Sequence, residues 1–173
     1  MRQEMLSGLA RLEAVTALLH RVRRQDARAG IWEAADPQWW WRKPRASDDV
    51  ATPAWFDDAG QPIAAALLTW WPHAWWLDII RLPGTQISLD DLAAPVWAAL
   101  ERLPGPLMIE ALVPVDDPGP GAWFAGRGFT VAGESSSGWM AATAAVAPWA
   151  HITHPPPSDV RLAVGGHVHK GWR

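Results

Sequence analysis

The chain has 173 residues, of which 49% are hydrophobic and 19% charged, and its formal net charge is −3. This length and composition are typical of a single globular domain with a complete hydrophobic core. The sequence contains no Cys, which excludes disulfides, thiolate metal sites and a Cys nucleophile. Because it also has no apolar run of ~18 residues and does not open on a signal peptide, we predict a cytoplasmic protein with no membrane partner.

The N-terminal part of the chain predicts two helices. Apolar residues at helical spacing indicate a first helix over residues 9–24. Asp36-Pro37 suits the start of a second, shorter helix, which carries three consecutive Trp and ends before Pro44. Residues 1–45 hold nine Lys/Arg against five Asp/Glu, an excess that could face nucleic acid or an anionic cofactor. The alternative is that these arginines complement the dipole at the end of the first helix. Since no basic stripe follows, we predict no nucleic-acid partner.

Three strands are predicted next. Residues 53–57, 63–71 and 75–80 are rich in β-branched and aromatic side chains and are separated by the turn signals Asp58-Ala59-Gly60 and Pro72-His73. The nearly continuous apolar character of the second run indicates a central strand that is covered on both faces.

Helix and strand alternate in the following part of the chain. A helix begins at Ser88 with two Asp in its first turn, and Pro95 makes it either kink or restart and run to residue 102. Residues 107–113 then predict a strand, residues 119–127 a short helix, and residues 129–131 and 138–143 a closing strand pair. This order predicts an α/β (α+β) domain over residues 1–146. Its central sheet is mixed but mostly antiparallel, with helices on both faces.

The composition changes after residue 146. Residues 147–158 predict a stiff Pro-rich linker, and residues 159–173 a disordered tail or the start of a further unit. The tail region also carries four His that could suggest a metal site. Because no predicted helix fixes their geometry, we predict no metal site. These residues are His151, His154, His167 and His169.

The aromatic residues are unusual, with fourteen Trp, three Phe and no Tyr. Most of the indoles belong in the core, because one ring buries on the order of 150–250 Å². Neighbouring residues of a strand point to opposite faces, so the pairs at 70–71 and 75–76 cannot all face one interior. Some of these rings are therefore expected to cover helix faces, a pocket or a surface for another chain.

Two motifs add a resemblance to a known family. The sequence Trp123-Phe124-Ala125-Gly126-Arg127-Gly128-Phe129 resembles the short helix and Gly-Phe turn of the GNAT N-acetyltransferases. The stretch Leu77-Asp78-Ile79-Ile80-Arg81-Leu82-Pro83 is similar to the fourth strand of that fold as it runs into the cofactor loop. With the order of elements, the resemblance covers residues 9–145 and implies a GNAT-like fold. The linker followed by residues 159–164 also resembles the junction of tandem acetyltransferases, which makes the chain similar to the N-terminal half of such a pair with its second copy truncated.

The resemblance implies acetyl-CoA as cofactor, with contacts from Leu82, Gly84, Thr85, Ser88 and Phe124. The family binds the diphosphate on a turn of the pattern Gln/Arg-x-x-Gly-x-Gly/Ala, but here the loop has a single glycine and a proline that lacks an N–H donor. Cofactor affinity is therefore expected to be low or absent. Many GNAT enzymes also carry a Tyr where this chain has Phe124, and a phenyl ring cannot protonate the departing thiolate.

Three residues are candidate bases for an acceptor amine: Asp78, Glu110 and His73. Each has a simpler interpretation. Asp78 would face solvent or pair with Arg81, Glu110 would be a charge at the edge or face of the sheet, and His73 would be a turn residue.

Two functions stay open at this point. The resemblance implies an acetyl-CoA-dependent N-acetyltransferase, which acts on a small-molecule or peptide amine with Asp78 or Glu110 as the base and with Trp39, Trp40 and Trp55 on the acceptor side. The degenerate loop and Phe124 favour a non-catalytic GNAT-like binding module, a pseudoenzyme that binds a ligand, a partner chain or a second copy through its Trp surface.

Overall fold

The computed structural model describes residues 1–26, 32–72, 74–104, 107–114, 118–134 and 139–146. The predicted linker and tail lie outside the described residues, as does His73. The described chain forms two compact units, one of residues 1–71 and 77–103 and the other of residues 72–76 and those from 104 onward. The elements, in chain order, are β1 (Arg2–Leu6), α1 (Gly8–Gln25), α2 (Ala35–Trp40), a short 3-10 helix (Ala46–Asp49), β2 (Thr52–Phe56), β3 (Pro62–Trp71), β4 (Ala74–Arg81), α3 (Leu89–Leu100), β5 (Leu107–Pro114), α4 (Pro118–Ala125), β6 (Thr130–Glu134) and β7 (Trp139–Val146).

In the first unit the strands lie in the order β1-β2-β3-β4. β1 pairs antiparallel with β2, and β2 pairs antiparallel with β3. The apolar run predicted as a central strand is β3, which has a neighbour on each side and whose residues 64–68 are all buried.

Helices cover both faces of the sheet in this unit, as predicted. Leu19 of α1 packs into one core cluster with Leu67 of β3. Ala64, whose side chain lies on the opposite face of the same strand, packs with Leu92 of α3. The α/β layering is therefore confirmed.

The strand β1 was not predicted, because the sequence interpretation placed no element before residue 9. Its residues Arg2-Gln3-Glu4-Met5-Leu6 begin with three polar side chains, and only Leu6 packs against the core cluster under α1. A short strand at the end of a sheet needs no regular apolar alternation, because most of its side chains meet solvent.

The helix that begins after Ser88 is continuous over α3, with Pro95 inside it. Of the two predicted alternatives at Pro95, a kink or a restart, the restart is therefore wrong. Leu92, Val96 and Leu100 are all buried on one side of α3, so packing of this stripe holds the helix together across the missing hydrogen bond at Pro95.

In the second unit, β5 pairs with the first residues of β4 in parallel, through Trp75–Ile109 and Trp76–Glu110. It pairs with β7 antiparallel, and β7 pairs antiparallel with β6. The described pairings are thus mixed and mostly antiparallel, which confirms the predicted fold class and the closing strand pair. After α4, Gly128 has a φ of 81°, and the N–H of Phe129 donates to the carbonyl of Phe124 at 3.2 Å. This is the Gly-Phe turn that the sequence predicted.

Candidate functional site

Asp78 lies in β4 and is only 5% exposed. Trp32 donates its indole N–H to the carboxylate, with 2.9 Å between Nε1 and Oδ1. Ile80, two residues further along the strand, packs in the core cluster under α1, so Asp78 points to the same face of the sheet. Arg81 is an odd number of residues away and points to the other face. The interpretation of Asp78 as a solvent-facing charge or a partner of Arg81 is therefore wrong.

The electrostatics of Asp78 follow from this position. Burial raises the pKa of its carboxyl group from 3.8 to about 6, although the hydrogen bond from Trp32 acts in the opposite direction. In the described part of the chain, no Lys or Arg forms an ion pair with it. Asp78 is therefore a carboxylate that exchanges a proton close to neutral pH, as a base for an amine must.

The rings of three Trp residues pack in a row beside the Trp32–Asp78 hydrogen bond. We call this set, Trp32, Trp40 and Trp71, the Trp wall. The rings of Trp32 and Trp40 meet edge to face at 4.5 Å between centroids, and those of Trp40 and Trp71 at 6.3 Å. Arg45 fixes this wall, because its guanidinium lies 4.1 Å from the Trp71 ring centroid and its Nε donates to the carbonyl of Trp40 at 3.0 Å.

Of the three Trp expected on the acceptor side, Trp40 contacts Trp32, which donates to Asp78. Trp55 packs with Leu92 of α3 in the other core cluster, on the face of the sheet opposite Asp78. Trp39 is 37% exposed and its ring is covered by Arg42 at 4.6 Å. Trp32 and Arg45 were not predicted as site residues, because both lie in connecting segments where no periodicity marks them.

The predicted cofactor loop follows β4, and two of its backbone N–H groups donate within the protein. The N–H of Leu82 donates to the carbonyl of Ile63 at 2.9 Å, and the N–H of Thr85 donates to the carbonyl of Leu82 at 3.1 Å. Pro83 has no N–H, and Gly84, with a φ of 78°, occupies the left-handed position of the turn. The side chain of Leu82 is buried in the core.

Side chains at the start of α3 also form hydrogen bonds within its first turn. Ser88 accepts the N–H of Asp91 at 3.0 Å and donates its hydroxyl to the Asp91 carboxylate at 2.6 Å. Asp90 and Asp91 place two carboxylates in this turn, where a bound anion would compete with them. The two carboxylates and the missing N–H of Pro83 disfavour the diphosphate of CoA at the loop and helix start, and Ser88 is a helix cap.

The two remaining candidate residues belong to the second unit. Glu110 is half-buried in β5, in register with Trp76 and Thr143. Phe124 is buried at 4% exposure, and its ring meets those of Trp123 and Phe129 edge to face at 4.9 and 4.8 Å. Phe124 is therefore a packing residue within its unit.

The described residues also bear on metal binding and on membrane insertion. No group of three His, Cys, Asp or Glu among them could hold a metal ion. In the same part of the chain, no helix is both long and apolar enough to cross a membrane.

The sequence matches no protein-family model and no curated protein. Solved structures do match. A ribosomal-protein-alanine N-acetyltransferase from Brucella melitensis aligns with 84% of this chain and 100% of its own, at 16% identity and a TM-score of 0.58. The ribosomal-protein-S18-alanine N-acetyltransferase from Escherichia coli aligns with 84% of this chain and 94% of its own, at 14% identity and a TM-score of 0.59.

A third similar structure contains a bound cofactor. A GNAT superfamily phosphinothricin acetyltransferase from Sinorhizobium meliloti, solved in complex with AcCoA, aligns with 92% of this chain and 96% of its own, at 12% identity and a TM-score of 0.59. At such identities the likeness concerns the fold. The chain has the fold of the GNAT N-acetyltransferases.

Proposed function

We propose that this chain transfers an acetyl group from acetyl-CoA to a primary amine, with Asp78 as the base. The observation that carries the proposal is the buried Asp78 carboxylate, held by Trp32 and with a pKa of about 6, in the fold of acetyltransferases. A charged group buried without a cation costs stability, and such groups cluster where chemistry requires them.

The part of the reaction that this chain's residues carry out is the binding and deprotonation of the amine. At neutral pH the Asp78 carboxylate attracts the ammonium form of the acceptor, and the Trp wall covers its apolar part. One proton of the ammonium group moves to Asp78 and then to solvent, which leaves a neutral nucleophilic nitrogen. A C–N bond then forms to the acetyl carbonyl as the C–S bond breaks, and the leaving thiolate takes up the second proton that the nitrogen loses. The indole N–H of Trp32 keeps the carboxylate oriented while its charge changes.

Binding of the acyl donor is expected to be weak, because two N–H groups of the loop donate within the protein and two carboxylates lie in the first turn of α3. The experiment that tests the function incubates the full chain with millimolar acetyl-CoA and a panel of primary amines, and measures the amide by mass spectrometry. Amide that forms with at least one amine faster than in the absence of protein supports the proposal. The absence of amide with every amine contradicts it.

The second candidate is a non-catalytic binding module, which the loop with its single glycine and Pro83, together with Phe124, favours. It differs from the first in its response to acetyl-CoA. Calorimetry on the full chain at millimolar acetyl-CoA gives binding heat if the first proposal holds, and none if the chain is a module that uses only its Trp surface.

Removal of the carboxylates at the start of α3 is expected to increase acetyl-CoA affinity. A charge at a helix N-terminus changes the free energy of a nearby anion by ~0.3–1 kcal/mol. The double variant Asp90→Asn/Asp91→Asn, which removes two such charges, is therefore expected to bind acetyl-CoA about tenfold more tightly. Calorimetry measures this change, and Glu101→Gln at the far end of α3 is the matched control. Unchanged affinity would show that the diphosphate does not approach this turn.

Phe124→Tyr is expected to increase acetyl transfer by about tenfold, equivalent to about 1.4 kcal/mol of transition-state stabilisation. The variant keeps the ring and adds the hydroxyl that the family resemblance places near the departing thiolate. Because Phe124 is buried, the hydroxyl also costs stability if it finds no partner, so thermal unfolding is measured in parallel. A folded variant whose turnover equals that of the parent would show that the missing acid does not limit the rate.

A further inference from the structure

The outer edge of β1 is open in the described part of the chain, where β2 is the strand paired with it. Which backbone groups face outward follows from β2. The N–H of Asp57 donates to the carbonyl of Gln61, so the backbone of Asp57 faces β3. Because the backbone groups of successive residues alternate, Phe56 and Ala54 face β1.

The register between β1 and β2 then shows which backbone groups of β1 face β2. Arg2 lies opposite Phe56 and Glu4 opposite Ala54, so the backbones of Arg2 and Glu4 bond to β2. Gln3 and Met5 therefore direct their N–H and C=O groups away from the sheet. Met5 lies opposite Pro53, which fits, because proline has no N–H to exchange in that pair.

The side chains of β1 are complementary to themselves. Arg2 and Glu4 lie on one face, with 2.9 Å between Nε and Oε1, and Arg2 is exposed while Glu4 is half-buried. If a second β1 runs antiparallel about a twofold axis at Gln3, Arg2 lies opposite the second copy's Glu4, and Glu4 lies opposite the second copy's Arg2. These are non-hydrogen-bonded pairs, in which side chains approach most closely. On the other face, Met5, which is 50% exposed, lies opposite the second copy's Met1.

We propose that the outer edge of β1 is a docking surface for a second copy of this chain, which forms an antiparallel β1–β1 ladder centred on Gln3. Exposed edge strands are usually blocked by proline, by a bulge or by charges of one sign that repel another strand. β1 has no proline, its pairing with β2 is regular, and its two charges have opposite signs and attract in this register.

Reversal of the charge at Arg2 or Glu4 distinguishes the proposed β1–β1 ladder from a dimer that forms through another surface. Glu4→Arg gives a chain whose two cross-strand pairs would be Arg–Arg, and Arg2→Glu gives a chain whose pairs would be Glu–Glu. Each variant alone is expected to dimerise at least about tenfold more weakly than the parent. An equimolar mixture of the two is expected to restore dimers that contain one copy of each, as is the double variant Arg2→Glu/Glu4→Arg.

The measurement is sedimentation equilibrium of the full chain, with any tag at the C-terminus, at concentrations up to about 0.5 mM. Gln3→Pro is a second variant, because it removes only an outward-facing N–H and is compatible with an edge strand. Thermal unfolding of each variant shows whether it is folded. The proposal predicts a parent dimer, weaker single variants and restored mixed dimers. A parent that stays monomeric, or a dimer that these substitutions do not weaken, overturns it.

Discussion

Replacement of Asp78 with asparagine is expected to lower the rate of amide formation by ~10²–10⁴-fold. The asparagine side chain would retain an oxygen that accepts the hydrogen bond from Trp32, but it could neither attract an ammonium group nor take its proton. The shape of the site is therefore conserved while its proton chemistry is removed. Initial rates at saturating amine, measured by mass spectrometry of the amide, give the size of the effect.

The matched control for this variant is Asp49→Asn, which removes an exposed carboxylate at the end of the 3-10 helix in the same unit. It is expected to leave the rate within about twofold of the parent. If Asp78→Asn retained full activity in a folded protein, Asp78 would be a structural residue, and Glu110 would become the base to test.

The second large effect concerns stability and its dependence on pH. Asp78 titrates at 3.8 as an ordinary side chain and at about 6 in the folded protein. Because the folded state binds this proton more tightly than the unfolded state, the contribution of Asp78 to stability is most favourable below pH 3.8. It becomes less favourable as the pH rises, and it is constant above about pH 6. The interval of about two pH units corresponds to about 3 kcal/mol of unfolding free energy.

The amide of Asp78→Asn has no charge to bury. The difference in unfolding free energy between this variant and the parent is therefore expected to increase by about 3 kcal/mol in favour of the variant as the pH rises from 4 to 7. Other groups contribute to the pH dependence too. The backbone hydrogen bond from Gln61 lowers the pKa of Asp57 from 3.8, so its effect has the opposite sign and falls at more acidic pH. Parent and variant share these other groups, so their contributions cancel in the difference between the two unfolding free energies. Urea unfolding at several pH values measures it, and a difference that does not change with pH would contradict the raised pKa.

Much of the fold could be predicted from the sequence, because its elements bury regular apolar patterns. The continuous apolar run became β3, the Ser88-x-x-Asp91 spacing became the capped start of α3, and Gly128 with Phe129 formed the predicted turn. β1 was missed, since a five-residue edge strand with three polar side chains has no such pattern.

The site was harder to predict than the fold. Asp78 was predicted as a candidate base and stays a prediction, but a single carboxylate in a strand does not reveal which face it occupies. The strand around it, Trp75-Trp76-Leu77-Asp78-Ile79-Ile80, is apolar on both faces, and this signal could have shown that Asp78 is buried. Its contact with Trp32 joins residues 46 positions apart, and no local pattern encodes such a pairing.

The central claim is that Asp78 deprotonates an amine in an acetyltransferase reaction, and the pH dependence of that reaction tests it most directly. We would measure kcat/KM for amide formation from acetyl-CoA and the best amine of the panel, between pH 5 and pH 8, for the parent and for Asp78→Asn. We expect a parent rate that falls about tenfold per pH unit below about pH 6, and a variant rate at least about 100-fold lower at pH 7 without this inflection. The claim is contradicted if parent and variant follow the same pH profile at the same rate, or if the parent forms no amide at any pH.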